Sequence, residues 1–171
     1  VVFVEPGNLG VDAGGIGAVA FQPGQMDVQP NLAAVLCGIT TGVAGSVLSI
    51  FAMSLVFRLE HVHYVSLLPK SITTAIGMGV AEEAGGIVTI TIVSIIFTGI
   101  LGNIVAEGWF KLVGIREPIA KGLALGTAAH AIGTSKALEL GEVEGAMSSL
   151  SIAVAGLMTV IAVPLMAGLI G

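Results

Sequence analysis

The residues best suited to chemistry lie in two short polar segments of an otherwise apolar sequence. The first, LPKSITT at residues 68–74, places one base before three hydroxyls. Pro69 is favoured in the first turn of a helix, and the free N–H groups of such a turn bind anions readily. The alternative is that Lys70 extends to the headgroups of a membrane while the hydroxyls bond the backbone. The candidate anion-binding residues here are Lys70, Ser71, Thr73 and Thr74.

The second segment, GTAAHAIGT at residues 126–134, places a histidine inside a short run without charged residues. An ionisable side chain at membrane depth is costly and marks a functional site by default. Such a histidine can bond a carboxylate or relay a proton, and the alternative is a neutral histidine that locks two helices together. Because Gly126 and Gly133 bracket His130, we expect the helix to unwind locally. The candidate substrate-binding residues here are Thr127, His130 and Thr134.

Other patterns argue against catalysis and against a bound metal. The sequence contains no G-x-S-x-G, H-E-x-x-H or P-loop motif. A single cysteine excludes an intrachain disulfide framework and a multi-cysteine zinc site, and His61 and His63 would not share a helix face. Glutamates at 82–83 and at 142 and 144 flank apolar runs, where they complement a helix dipole; coupling to H⁺ or Na⁺ is the alternative. We therefore expect no enzyme, no catalytic residue, no metal and no cofactor.

The composition of the chain indicates whether these segments lie in water or in a membrane. The 171 residues have a mean hydropathy of +1.04, with 55% hydrophobic and 10% charged residues, whereas a soluble domain carries about 25% charged residues. The formal net charge of −5 excludes a basic nucleic-acid binder, and a chain this apolar is not disordered. The composition indicates an integral membrane protein in contact with lipid.

Three long runs without charged residues predict membrane-spanning helices. They cover residues 28–57, 84–106 and 145–171, and each exceeds the roughly 20 residues that cross a bilayer as a helix. A fourth run, 122–135, has only 14 residues and predicts a broken or re-entrant segment. The fold class is therefore all-α, a polytopic transmembrane protein with interrupted helices. We divide the chain into an irregular, Gly- and Pro-rich segment at 1–30 and a transmembrane domain at 31–171.

An internal repeat relates the two polar segments. The pattern A-I-G-x3-A-x-E-x-G occurs at residues 75–85 and again at 131–141, an offset of 56, and each copy precedes a long apolar run. Chance is the alternative in a chain rich in Ala and Gly. Paired interrupted segments in corresponding positions are the sequence pointer to a transporter's binding site. The sequence does not decide whether the copies are parallel or inverted.

The distribution of bases predicts an orientation for the loops. Arg58 and Lys70 flank the loop after the first span, and three further bases lie after the second span. The positive-inside rule would place both loops on the cytoplasmic side. This arrangement needs an even number of crossings between them, so we expect residues 71–83 to be the first arm of a passage that enters and returns.

Three motifs together resemble the LrgB/CidB antiholin-like family. The sequence LLPKSITTAI at 67–76 is similar to the family's LLPKSVTTPIA, GLALGTAAHAIGT at 122–134 to GLALGTASHAIGTA, and EVEGAMSSL at 142–150 to EVEGAFSSLA. The resemblance covers about residues 31–171. Ala75 stands where the family has Pro, and Ala129 stands where it has Ser. Family members have further N-terminal spans, and a chain that does not begin with Met fits a fragment or a processed form.

The resemblance implies two functions. One is an antiholin-like regulator of murein hydrolase activity and cell lysis, which acts with a small holin-like membrane partner. The other is a secondary transporter of small monocarboxylates such as pyruvate, glycolate or glycerate, and the two polar segments favour it because they suit a small organic anion. Small residues at spacing four, among them Gly38, Gly42 and Ser46, indicate close helix packing and a homodimer as an oligomeric state.

Overall fold

The computed structural model describes residues 32–170, and every regular element within that range is a helix. The elements are α1 (Leu32–Phe57), α2 (His61–Leu67), α3 (Thr74–Glu83), α4 (Val88–Val113), α5 (Pro118–Leu140) and α6 (Glu142–Ala167). Helices α1, α4 and α6 have 26 residues each and are long and apolar enough to cross a membrane. These helices confirm the prediction of an all-α, multi-pass membrane protein. The expected irregular segment at residues 1–30 lies outside the described residues.

Helix α5 is interrupted at His130, whose backbone angles are φ 42° and ψ −136°. Lys121 and Leu140 line the same cavity, although 19 residues of straight helix would separate them by about 28 Å. Gly126 packs on Ser148 of α6, and beyond the interruption Thr134 hydrogen-bonds to Ser148 as well. The chain therefore turns back at His130, and α5 forms a re-entrant hairpin with arms 118–129 and 131–140, here called hairpin 2. This is the broken segment that the short uncharged run predicts.

Helices α2 and α3 form a second re-entrant hairpin, here called hairpin 1, with the non-helical link 68–73 at its tip. The Tyr64 hydroxyl of α2 donates to the Met166 carbonyl at the end of α6. Glu83, the last residue of α3, lines a cavity together with Pro164 and Ala167, also near the end of α6. The start of α2 and the end of α3 therefore lie on the same side of the molecule.

The two hairpins enter from opposite sides, because α4 connects them and crosses once. At its start, Thr91 Oγ1 donates to the Ser66 carbonyl of hairpin 1 over 2.8 Å. At its end, Gly114 closes α4 in the left-handed region at φ 75° and lines a cavity with Lys121 of hairpin 2. Helix α4 separates Thr91 from Gly114 by 23 residues, which is about 35 Å along a helix.

This arrangement corrects the predicted orientation of the loops. Arg58 directly precedes hairpin 1, whereas Lys111, Arg116 and Lys121 lie at the far end of α4. Hairpin 1 enters and returns on one side, so a single crossing by α4 remains between the two loops. The expectation that both loops share a side is wrong, because residues 71–83 return to their own side and do not form one arm of a longer passage.

The repeat offset of 56 corresponds to equivalent elements in space. Adding 56 to the bounds of α1 gives 88–113, the bounds of α4, and hairpin 1 maps in the same way onto hairpin 2. Contacts also correspond, since the pair Ser66 and Thr91 maps onto Gly122 and Met147, which pack together. Each unit is a spanning helix followed by a re-entrant hairpin. The copies are inverted, a relationship that the sequence leaves open.

The small-residue row of α1 packs inside the chain. A Cβ on Gly42 would lie 2.7 Å from Thr127 Oγ1, and a Cβ on Gly38 would lie 3.3 Å from Leu123. Glycine at these positions lets α1 approach the first arm of hairpin 2 closely. A Cβ on Gly45, by contrast, would have no neighbour within 4 Å among the described residues of other elements. The predicted close packing is confirmed, because Gly38 and Gly42 both contact hairpin 2, and the homodimer stays a prediction.

Candidate functional site

The tip of hairpin 1 carries a lysine held by two serines. Lys70 Nζ donates to Ser46 Oγ of α1 over 3.2 Å and to Ser71 Oγ over 3.1 Å. The two serine oxygens lie 2.8 Å apart, so the three groups form a closed triangle, here called the Lys70 triangle. Ser71 is buried, and Lys70 is partly buried. The structure thus brings the predicted Lys70 and Ser71 together with a third hydroxyl from another helix.

The local backbone explains why the lysine lies at the tip. After α2 the chain makes two successive turns, closed by hydrogen bonds from Lys70 N to the Leu67 carbonyl and from Ile72 N to the Pro69 carbonyl. Thr73 is extended, at φ −63° and ψ 144°, and α3 begins immediately after it. The free N–H groups of the first turn of α3 therefore follow directly on the hydroxyl-rich link.

The charge of Lys70 has no counter-ion within the described residues. The ion pairs found between residues 32 and 170 involve other groups, so no carboxylate there lies within 4.0 Å of the Lys70 ammonium. A partly buried cation without an anionic partner is costly. An ammonium has three protons to donate, and the serines accept two of them. This arrangement is suited to binding an anion.

The polar side chains at the tip of hairpin 2 form hydrogen bonds with other groups of the protein. His130 is 3% exposed, and its Nε2 lies 2.9 Å from the Ile95 carbonyl of α4, so this nitrogen carries the proton. Thr127 Oγ1 donates to the Leu123 carbonyl over 2.7 Å, and Thr134 Oγ1 lies 2.7 Å from Ser148 Oγ. The histidine joins two helices, as the alternative interpretation describes. Direct substrate contacts by these three residues stay a prediction.

The two tips approach the same parts of α1 and α4. On α1, Gly42 packs against Thr127, and Ser46, one turn or about 6 Å further along, bonds Lys70. On α4, the Ile95 side chain contacts Gly77 near the start of α3, while its carbonyl bonds His130. The two interrupted segments therefore contact neighbouring turns of the same two spanning helices, and their sharing of one substrate stays a prediction. Thr73 and Thr74 are partly buried and form no side-chain hydrogen bond within the described range.

Sequence reasoning missed two polar residues at the tips. Ser46 was assigned only to a packing row, yet its hydroxyl completes the Lys70 triangle. Asn103 of α4 donates from Nδ2 to the Ile132 carbonyl over 3.1 Å, two residues beyond the interruption at His130. Asn103 is the only carboxamide in the apolar run 84–106, which was a usable signal.

Among residues 32–170, no group of three His, Cys, Asp or Glu side chains is placed to hold a metal.

Three spanning helices and two inverted re-entrant hairpins define a multi-pass helical membrane protein of the inverted-repeat type. The model of the LrgB-like family matches residues 18–169, and the chain belongs to this family. The match begins 13 residues before the predicted domain boundary at residue 31. The resemblance carried by the three motifs is thereby confirmed.

Curated relatives carry an antiholin-like name. The chain is 38% identical over 137 residues to "Antiholin-like protein LrgB" of Bacillus cereus (strain B4264) and, to the same extent, to that of Bacillus anthracis (strain A0248). The aligned region covers 80% of this chain and 60% of each relative, so the chain spans about three fifths of their length. No solved structure matches the chain.

Proposed function

We propose that this chain forms the substrate-binding part of a secondary transporter for small monocarboxylates of two to four carbons. The observation that carries the proposal is the Lys70 triangle, a cation without a counter-ion in the described residues at the tip of a re-entrant hairpin. Inverted repeats with interrupted helices at the binding site are a recurrent transporter design. The triangle is the part of that design with the chemistry to select an anion.

The substrate carboxylate accepts the third proton of the Lys70 ammonium, which Ser46 and Ser71 hold in position. The hydroxyls of Thr73 and Thr74 and the first N–H groups of α3 donate to the second carboxylate oxygen. A monocarboxylate is favoured because the tip offers a single ammonium to one carboxylate group. His130 acts from the other hairpin by fixing its tip against α4.

Movement of the hairpins gives alternating access. Hairpin 1 opens towards one side and hairpin 2 towards the other, because they enter the bilayer from opposite directions. The polar contacts described at the two tips include Lys70 with Ser46 and His130 with the Ile95 carbonyl. Because each of these contacts is a single hydrogen bond, one hairpin can separate from its spanning helix while the other stays closed.

An uptake experiment tests the proposal. The full chain is reconstituted in liposomes, and uptake of radiolabelled pyruvate and glycolate is compared for wild type, Lys70→Ala and Lys70→Arg. We expect Lys70→Ala to abolish uptake and Lys70→Arg to retain part of it, because the charge persists. Arg58→Ala is the matched control, since it removes an exposed base outside the hairpin. Equal uptake by wild type and Lys70→Ala would overturn the assignment.

Antiholin-like regulation is the second candidate, and the name of the curated relatives supports it. In this function a small holin-like membrane protein binds the lipid-facing surface of the helices. Gly38 and Gly42 are poor probes of such a surface, because they pack against hairpin 2. Gly45 faces open space, so Gly45→Leu should release a holin-like partner in co-purification while Lys70→Ala should not. Loss of lysis control in Lys70→Ala alone would instead connect regulation to transport.

A further inference from the structure

A cationic cavity lies where α4 ends and hairpin 2 begins, far from the Lys70 triangle. Its volume is about 350 Å³, within the roughly 300–1,000 Å³ typical of small-molecule sites. The end of α4, the turn 114–117 and both arms of hairpin 2 contribute to its wall. The lining includes Glu107, Phe110, Lys111, Arg116, Lys121 and Leu140.

The charge of this cavity is positive. Lys111, Arg116 and Lys121 are three of the six Lys and Arg residues of the whole chain, and none of them forms an ion pair within residues 32–170. Glu107 is the one acid in the lining, and its carboxylate is 2.7 Å from Lys136 Nζ. Lys136 also lies 3.1 Å from Glu139, so two acids share this one base. The described lining of the cavity itself carries three bases against one acid, which gives it a net positive charge.

Helix dipoles do not explain this placement of bases. Lys111 complements the C-terminal end of α4, but Arg116 and Lys121 lie at the N-terminal end of α5, where the dipole disfavours cations. Neighbouring acids do not account for it either, since no carboxylate within residues 32–170 lies within 4.0 Å of Lys111, Arg116 or Lys121. Bases that converge against the local dipole indicate an external anion.

The surroundings favour the phosphate of a membrane lipid over a soluble anion. Trp109 and Leu112 lie on the last turns of α4 and are 58% and 76% exposed, as expected for side chains that contact lipid at the membrane interface. Basic pockets at the ends of spanning helices bind anionic headgroups. We infer that the cavity lined by Lys111, Arg116 and Lys121 binds the phosphate headgroup of an anionic phospholipid.

Native mass spectrometry of the full chain in neutral detergent tests this inference. The probes are dioctanoyl phosphatidylglycerol, dioctanoyl phosphatidylcholine and inorganic phosphate. We expect the anionic lipid to be retained well above the zwitterionic lipid. Arg116→Gln should weaken its binding about tenfold, because a charge-assisted hydrogen bond is lost. Arg58→Gln, which removes one base on the hairpin 1 side, should leave binding unchanged.

Several results would overturn the inference. Equal retention of the two lipids would show that charge does not select the ligand. Equal losses in Arg116→Gln and Arg58→Gln would show that net charge, and not the cavity, governs binding. Displacement of the lipid by millimolar inorganic phosphate would identify a soluble anion as the ligand. Lys121→Gln, with its helical content checked by circular dichroism, repeats the test at a second residue of the lining.

Discussion

Lys70 and Ser46 are 24 residues apart in the chain, and their side chains are joined by a hydrogen bond of 3.2 Å. This bond connects the tip of hairpin 1 to the middle of α1, the helix that also packs against hairpin 2 through Gly42. A single spanning helix thus contacts both hairpins within about one turn. In the proposed transporter, α1 is the fixed reference against which the tip of hairpin 1 binds and releases its substrate.

Ser46→Ala should raise the KM for carboxylate uptake roughly tenfold, because a hydrogen bond to a charged group contributes about 1.5 kcal/mol or more. The ammonium keeps its charge but loses one of the two groups that position it. Ser49→Ala is the control, since within residues 32–170 the Ser49 hydroxyl bonds the Ser46 carbonyl and no group of the Lys70 triangle. Liposome uptake kinetics provide the measurement. The same KM in both variants would contradict a positioning role for Ser46.

Gly42→Ala should destabilise the protein by about 2 kcal/mol. The added methyl group would lie 2.7 Å from Thr127 Oγ1 and force α1 away from hairpin 2. Gly45→Ala is the matched control on the same helix, because the new methyl group would meet no atom of another element within 4 Å in the described part of the chain. It should leave stability unchanged or raise it slightly. Thermal unfolding in detergent compares the two variants, and equal melting temperatures would refute the close approach.

His130→Gly should be more stable than His130→Ala by about 1–3 kcal/mol. Both variants lose the ring and its hydrogen bond to the Ile95 carbonyl. The difference between their free energies of unfolding therefore measures the backbone strain at residue 130. A φ of 42° with a ψ of −136° suits glycine and strains an alanine. Unfolding of both variants by heat or denaturant gives the comparison. Equal stability of the His130→Ala and His130→Gly variants would show that residue 130 does not adopt a positive φ and would refute the sharp turn at the tip of hairpin 2.

Glu60 and Glu117 should be accessible from opposite sides of the membrane, because α4 crosses once between the two hairpins. In a Cys37→Ser background, which removes the only cysteine, Glu60→Cys and Glu117→Cys each introduce one thiol at an exposed position. An impermeant maleimide applied to vesicles of one orientation should label only one of them. Labelling of both from the same side would exclude the inverted arrangement and restore the orientation that the positive-inside rule predicts.

Much of the fold was predictable because its signals are local. A run of more than about 20 uncharged residues can only be a spanning helix in this composition, and α1, α4 and α6 lie within or overlap the three predicted runs. The interruption at His130 also has a local cause, a short run with an ionisable residue between two glycines. The candidate site was predictable to the same degree, since Lys70 and Ser71 are adjacent in one polar segment.

The sequence by itself determined that this is a helical membrane protein with two interrupted segments related by an offset of 56. The tertiary structure decided the direction of each segment, because a turn at one residue, His130, reverses the chain without changing the pattern of apolar residues around it. It also decided that Ser46 bonds Lys70 and that the His130 ring bonds the Ile95 carbonyl. These partners are 24 and 35 residues apart, and no local periodicity specifies which of many serines or carbonyls the packing of helices brings into contact.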